Sequence, residues 1–211
     1  MKKNLALLIA IAGWFAVIAQ LFLLLSNHST STWEALVRFV SYFTILTNTL
    51  VAGYFTFQVL DVDKDPEALF NRPGTLTAIT VYISIVGLVY QVALRHIWDP
   101  TGLQKIVDEL LHTIIPLLVV VYWFRHETHP GFDRGRLGNF LIYPLAYLGF
   151  VLVRGAVSGF YPYPFLEVDT LGWPQTTLHI AVLVAFFLLL FLLYTYAGTR
   201  LQKRRSKRSA G

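Results

Sequence analysis

Hydrophobic residues gather into six long runs separated by short polar stretches, at about 5–25, 38–59, 75–96, 104–124, 138–157 and 176–197. Each approaches the roughly 20 apolar residues that one α-helix needs to cross a bilayer. The pattern predicts an all-α polytopic membrane protein, a bundle of six transmembrane helices with short connections. The first run, MKKNLALLIAIAGWFAVIAQLFLLL, is longer than a signal-peptide core and carries no clear small-residue cleavage motif. It reads as a retained helix. The stretch 158–175, SGFYPYPFLEVDTLGWPQ, is different: Pro162, Pro164 and Pro174, with Gly172, break regular helix there. It is expected to form an ordered connection capping the outer side of the bundle.

Charge sets the expected orientation. Lys2, Lys3, Lys64, Arg72, Arg125, Arg134, Arg136, Arg200, Lys203, Arg204, Arg205, Lys207 and Arg208 fall on one side of the six runs. Only Arg38, Arg95, Lys105 and Arg154 fall on the other. The excess of Lys and Arg predicts that both termini are cytoplasmic, in a cell inner membrane. The tail over 198–211 is expected to anchor the topology and touch anionic headgroups.

Composition narrows the function classes. Hydrophobic residues make up 55% and charged residues 14% of the 211, against about 25% charged in soluble domains. The net charge of +5 lies between and after apolar runs, so no nucleic-acid partner is expected. There are no cysteines, which excludes disulfides and thiolate metal sites. No internal repeat or glycine-rich phosphate loop is present, and the chain reads as a single domain, residues 1–211.

Polar residues concentrate toward the outer half of the runs. Arg38, Ser41, Thr44 and Asn48 recur at helical spacing in the second run, and Gln104, Asp108, His112 and Pro116 in the fourth. At 1.5 Å per residue, Thr44 and His112 each sit roughly 9–12 Å below the outer helix ends, so they share a level. Gln91, Arg95, His96, Arg154, Ser158, Thr176 and His179 crowd the same side. This distribution predicts a polar pocket in the outer half, closed below by apolar side chains. Ionisable groups at such depth usually face the bundle or a wet cavity.

Each residue also has a structural reading. Ser41, Thr44, Thr47, Asn48 and Thr49 suit helix-to-helix hydrogen bonding. Arg95 and Arg154 can snorkel to headgroups, and Asp108 and Glu109 can be interface carboxylates. Trp33, Trp98, Tyr161, Tyr163 and Trp173 suit an aromatic belt.

Three stretches resemble the androgen-induced gene 1 family of multi-pass membrane proteins. They are RFVSYFTILTN at 38–48, LHTIIPLL at 111–118 and SGFYPYPFLE at 158–167. Similarity is greatest in the last, Tyr-Pro-Phe-Leu-Glu being an unusual string, and the six runs resemble the family's prokaryotic branch. The resemblance implies hydrolysis of fatty acid esters of hydroxy fatty acids, with Thr44 as nucleophile and His112 as its partner. Ser41 and Thr47 compete with Thr44 for the nucleophile, and Asp108 departs from the amide residue found there in the family.

These residues fit ester hydrolysis chemically. A threonine hydroxyl needs a base to take its proton, and Asp108, one turn before His112, is placed to orient the imidazole. Arg95, Arg154 or His179 would bind an oxyanion or a fatty-acid carboxylate. Asn48 would support the site, and Glu167 would be held by a cation or by backbone amides. Membrane lipids and a fatty-acyl ester are the expected partners, with no cofactor and no metal. No Gly-x-Ser-x-Gly elbow is present. Two other classes stay open: a metal-dependent hydrolase using His96, His112, His179 and Asp108 or Glu109, and a lipid or ion binder or transporter. His126 and His129 lie on the opposite side from His112.

Overall fold

The structure, a computed structural model, describes residues 2–27, 29–61, 68–127 and 137–209. Lys64, His129, Arg134 and Arg136 lie outside the described residues. All regular structure among those described is helical. Among the described residues six helices are long and apolar enough to cross a membrane, which makes this an all-α, multi-pass membrane protein.

The chain divides into two compact units. One comprises residues 1–131 and 194–211. It contains α1 (Lys2–Asn27), α2 (Thr32–Ser41), α3 (Phe43–Leu60), α4 (Thr75–Val89), α5 (Gly102–Glu109) and α6 (Ile115–His126), and the end of α8 (Val168–Ser209). Here α1 packs along α3, and α4 packs on α3 and α6. Every residue of α4 from Thr75 to Gly87 is buried, so α4 is the central helix of this unit. Gly13 permits the close α1–α3 approach, because a Cβ there would lie 2.9 Å from that of Ala52. The second unit, residues 132–193, holds α7 (Leu137–Ser158), a 3₁₀ turn at Pro164–Leu166 and the first part of α8.

The expected second span, 38–59, is broken. Ser31 caps α2 by accepting from the Glu34 amide at 3.2 Å, in a Ser-x-x-Glu capping arrangement. The 10-residue α2 is too short to span a bilayer. Its Trp33, Leu36 and Val40 are exposed, as in helices that lie at a membrane surface. Tyr42 is extended, at φ −85° and ψ 123°, and a new helix starts at Phe43. Arg38 and Ser41 therefore do not share a helix face with Thr44 and Asn48, contrary to the spacing.

The expected sixth span, 176–197, also differs. Helix begins at Val168, with a break at Gly172 (φ 73°, ψ 161°), a conformation that glycine tolerates. Pro174 follows in the first turn after the break, where its missing N–H costs little. Helix then runs on to Ser209 through most of the expected tail. Within the first unit, Arg205 donates to the carbonyls of Phe124, Arg125 and Glu127 at 2.7, 3.0 and 2.7 Å. Those carbonyls belong to the last turn and the C-cap of α6, so Arg205 caps that end.

Candidate active site

Pro116 shapes the site before any side chain does. It has no N–H to offer the His112 carbonyl four residues back, and its ring crowds that oxygen. The helix opens into a π-turn over Leu110–Ile114, in which the Ile115 amide reaches back to the Leu110 carbonyl. A second π-turn, Tyr90–Leu94, follows α4 and closes with the Arg95 amide on the Tyr90 carbonyl at 2.8 Å. Each π-turn carries one extra residue, which re-aims the side chains around it; such turns recur at functional sites. Gly87 lets the two elements meet, since a Cβ there would lie 3.1 Å from the His112 oxygen and 3.2 Å from the Pro116 Cβ.

On the other side stands the first turn of α3. The Tyr42 carbonyl accepts from the amides of Ile45 and Leu46 at 3.1 and 3.2 Å. Thr44 thus occupies the N-terminal turn, at the positive end of the helix dipole. Burial holds the Tyr42 phenol above its ordinary pKa, against the pull of Arg38.

Four side chains converge between these elements. Thr44 Oγ1 lies 3.3 Å from His112 Nε2. His112 Nδ1 lies 3.0 Å from the Asp108 carbonyl and 3.2 Å from Asp108 Oδ1. Both are acceptors, so in neutral imidazole the proton belongs on Nδ1 and the lone pair on Nε2. The Thr44 hydroxyl then donates to Nε2, the direction that a general base requires. Asp108 Oδ2 accepts from the Tyr90 hydroxyl, and the Tyr90 ring stacks on His112 at 4.2 Å and 15°. Thr44 and Asp108 are 7% and 6% exposed, so their hydrogen bonds face little competition from water.

Asn48 fastens α3 to the π-turn, its Nδ2 donating to the carbonyls of Thr44 at 2.9 Å and Leu111 at 3.3 Å. Its buried Oδ1 has no hydrogen-bond partner among the described residues. An unsatisfied acceptor is costly; a water or a substrate hydroxyl at this level would satisfy it. Of the competing hydroxyls, Ser41 donates to the Val37 carbonyl at 2.6 Å, and Thr47 is fully buried. One turn nearer the start of α5, Arg95 pairs with Glu109. Thr113 accepts from Gln91 at 2.9 Å and donates to Glu109 at 2.8 Å. Arg95 is therefore committed to a carboxylate rather than aimed at the Thr44–His112 pair.

Arg154, His179 and Glu167 belong to the other unit. There Arg154 lies over the Phe160 ring at 5.1 Å. His179 engages the Phe165 carbonyl at 2.9 Å and Gln175 at 3.0 Å. Glu167 closes the 3₁₀ turn through its own amide, bonded to the Pro164 carbonyl at 3.3 Å. Among the described residues no three His, Asp or Glu side chains gather as a ligand set. Two residues of the site are absent from the sequence reading, Tyr90 and Thr113. Tyr90 directly precedes Gln91 on the polar end of the third run, which is the one signal pointing to it. Compared with protein-family models, with curated proteins and with solved structures, the chain finds no match.

Proposed function

We propose that the protein is an intramembrane lipid ester hydrolase with Thr44 as nucleophile, His112 as general base and Asp108 as the group that orients it. The observation that carries this reading is the Thr44 hydroxyl on His112 Nε2 at 3.3 Å while Nδ1 is held by Asp108. A hydroxyl, a base and a third orienting group in that order are the parts of nucleophilic acyl transfer.

The steps balance without a cofactor. Thr44 Oγ1 attacks the ester carbonyl carbon as its proton passes to Nε2. The carbonyl electron pair becomes an oxyanion, which the N-terminal turn of α3 favours electrostatically. Collapse expels the alcohol oxygen, which takes the proton from Nε2 and leaves an acyl-Thr44 ester. Water then attacks the acyl carbon, giving its proton to Nε2, and Thr44 leaves with that proton. The products are an alcohol and a carboxylic acid. The resemblance in 38–48, 111–118 and 158–167 supports a fatty acid ester of a hydroxy fatty acid as the substrate class. The uneven distribution of Lys and Arg supports cytoplasmic termini in an inner membrane.

The test is covalent. Purified protein in lipid nanodiscs is treated with an activated carbamate or fluorophosphonate carrying a reporter, then digested and mapped by mass spectrometry. The adduct is expected on Thr44 and is expected to vanish in His112→Ala. Absence of any adduct, together with no hydrolysis of a long-chain ester, would sink the proposal.

A further inference from the structure

Tyr90 meets the His112–Asp108 pair twice, once through its ring and once through its hydroxyl. A core tyrosine needs a partner for its hydroxyl when buried, and Tyr90 is 4% exposed. A backbone carbonyl would serve that need. Here the partner is instead the carboxylate that holds the base, and the ring of the same residue lies flat on that base.

We infer that Tyr90 is a positioning residue: its hydroxyl fixes the Asp108 carboxylate and its ring fixes the His112 plane, so that Nδ1 carries the proton and Nε2 faces Thr44. Its part in turnover rests on the hydrolase reading above. Its part in setting the imidazole tautomer does not.

The geometry explains why both contacts are needed. Asp108 and His112 are four residues apart on one chain segment; the Asp108 carbonyl meets Nδ1 at 3.0 Å whatever Tyr90 does, whereas a carboxylate free to rotate about its χ angles can leave Nδ1 and with it half of the acceptor pair. Donation from Tyr90 to Oδ2 leaves Oδ1 as the oxygen that faces Nδ1, 3.2 Å away. The near-parallel ring, at 4.2 Å and 15°, opposes tilting of the imidazole out of line with Thr44. The identity of the metallated or protonated ring nitrogen is set by what the other nitrogen bonds, and here Tyr90 acts one bond further out. Both Tyr90 and His112 sit on π-turns, so two departures from regular helix serve one ring pair.

Few other groups compete for this control. The π-turn bearing His112 packs against α1, α3, α4, α5 and α6. From these and the Tyr90–Leu94 turn, the charged or titratable groups at this level are Tyr90, Arg95, Asp108 and Glu109. Arg95 and Glu109 pair with each other, and the Arg95 guanidinium lies over the Tyr90 ring at 5.8 Å. The opposing turn of α3 brings the Thr44 hydroxyl and the Asn48 amide, neither of them charged. The lysines of α1 and the basic residues of α6 lie at the opposite helix ends.

The experiment reads the tautomer in the resting protein. Protein carrying ¹⁵N-labelled histidine is placed in nanodiscs, and the His112 ring signals are assigned by their loss in His112→Gln. At a pH where the ring is neutral, the wild type is expected to show protonated Nδ1 and bare Nε2. Tyr90→Phe keeps the stacked ring and loses the hydroxyl; with the Asp108 carbonyl still on Nδ1, it is expected to bring in a minor second population protonated on Nε2. Tyr90→Leu removes both contacts and is expected to broaden or mix the signals further. In ester hydrolysis, Tyr90→Phe should lower kcat by about ten- to a hundredfold with KM little changed, as misplacement of a catalytic group does. A wild-type ring already protonated on Nε2 overturns the inference with no variant needed. So does a Tyr90→Phe protein whose ring signals match the wild type. If instead the tautomer responds as expected but the wild type hydrolyses no ester, the hydrolase reading fails and the positioning role stands.

Discussion

Thr44, His112, Asp108 and Tyr90 at one end of α4 have near counterparts at the other: Thr77, His126, Glu127 and Tyr122. The two sets lie about 20 Å apart along the helix axis. At the second end Thr77 donates to Glu127 at 3.0 Å and accepts from the Trp123 indole at 2.9 Å. His126 bonds the Tyr122 carbonyl at 3.1 Å, and its ring is tilted 36° from that of Tyr122 at 4.5 Å. The ingredients match, but the wiring does not. Thr77 gives its proton to a carboxylate, and neither partner in its hydrogen bonds is a base nitrogen. Thr44 faces a ring nitrogen whose other side is anchored. Around Thr77 the chain is regular helix, and around His112 it is a π-turn. Next to Pro116 a π-turn sets a histidine nitrogen against a hydroxyl, whereas at the other end the histidine turns back on a carbonyl of its own helix.

On the proposed hydrolase reading, the comparison breaks most sharply under substitution of Thr44 and His112. Thr44→Ala and His112→Ala should each lower ester hydrolysis by roughly a thousandfold or more, and the double variant should be little worse. His126→Ala, at the other end, should leave turnover near wild type. Steady-state rates on one lipid ester for the four variants and the wild type decide it. A double variant that loses the product of the two single losses would mean that Thr44 and His112 act separately.

Much of the fold is legible in the apolar runs, and the legible parts are those that local pattern controls. The runs at 5–25 and 104–124 fall on helix, but the depth expected for Thr44 does not carry over: helix restarts at Phe43, so Thr44 stands in a first turn and not six residues down a helix from Arg38. What tertiary packing decides is less visible. The run 38–59 gives no hint that Tyr42 turns extended, because apolar residues continue through the break. That break moves Arg38 and Ser41 off the Thr44 face. Pro116 announces a disturbed helix, yet the choice of a π-turn over a kink depends on what packs against it, including Gly87. Tyr90 is one aromatic among many in the third run until its distance to Asp108 is known. The basic tail reads as a lipid anchor, but its continuation as helix, with Arg205 on the α6 carbonyls, needs those carbonyls in place.

Restoring the missing amide sharpens the role of the π-turn. Pro116→Ala gives the His112 carbonyl a donor and removes the ring that crowds it. Regular helix then competes with the π-turn, and expelling one extra residue rotates the site by about 100°. Hydrolysis should fall about tenfold, consistent with loss of alignment rather than loss of the group. The thermal midpoint should hold or rise, since a helix bond is gained and a strained feature relaxed. Activity that stays at the wild-type level would show that His112 is aimed by packing alone.

The smallest expected effect on turnover, and the cleanest contrast, comes from Thr77→Val. The replacement keeps the shape and removes the hydroxyl. Trp123 Nε1 loses its acceptor and Glu127 loses a donor, in a place where Thr77 and Trp123 are both 0% exposed. An unsatisfied buried polar group costs about 1–3 kcal/mol, so the thermal midpoint should drop by several degrees. Turnover per folded molecule should stay within about twofold of wild type, because α4 transmits no charge from that end and nothing at Thr77 touches the Thr44–His112 pair. Rates normalised to folded protein, measured well below the lowered midpoint, separate the two quantities. A large loss of normalised rate would mean that the two ends of α4 are coupled, and that the hydroxyl saturated by Glu127 and Trp123 does more than close the bundle.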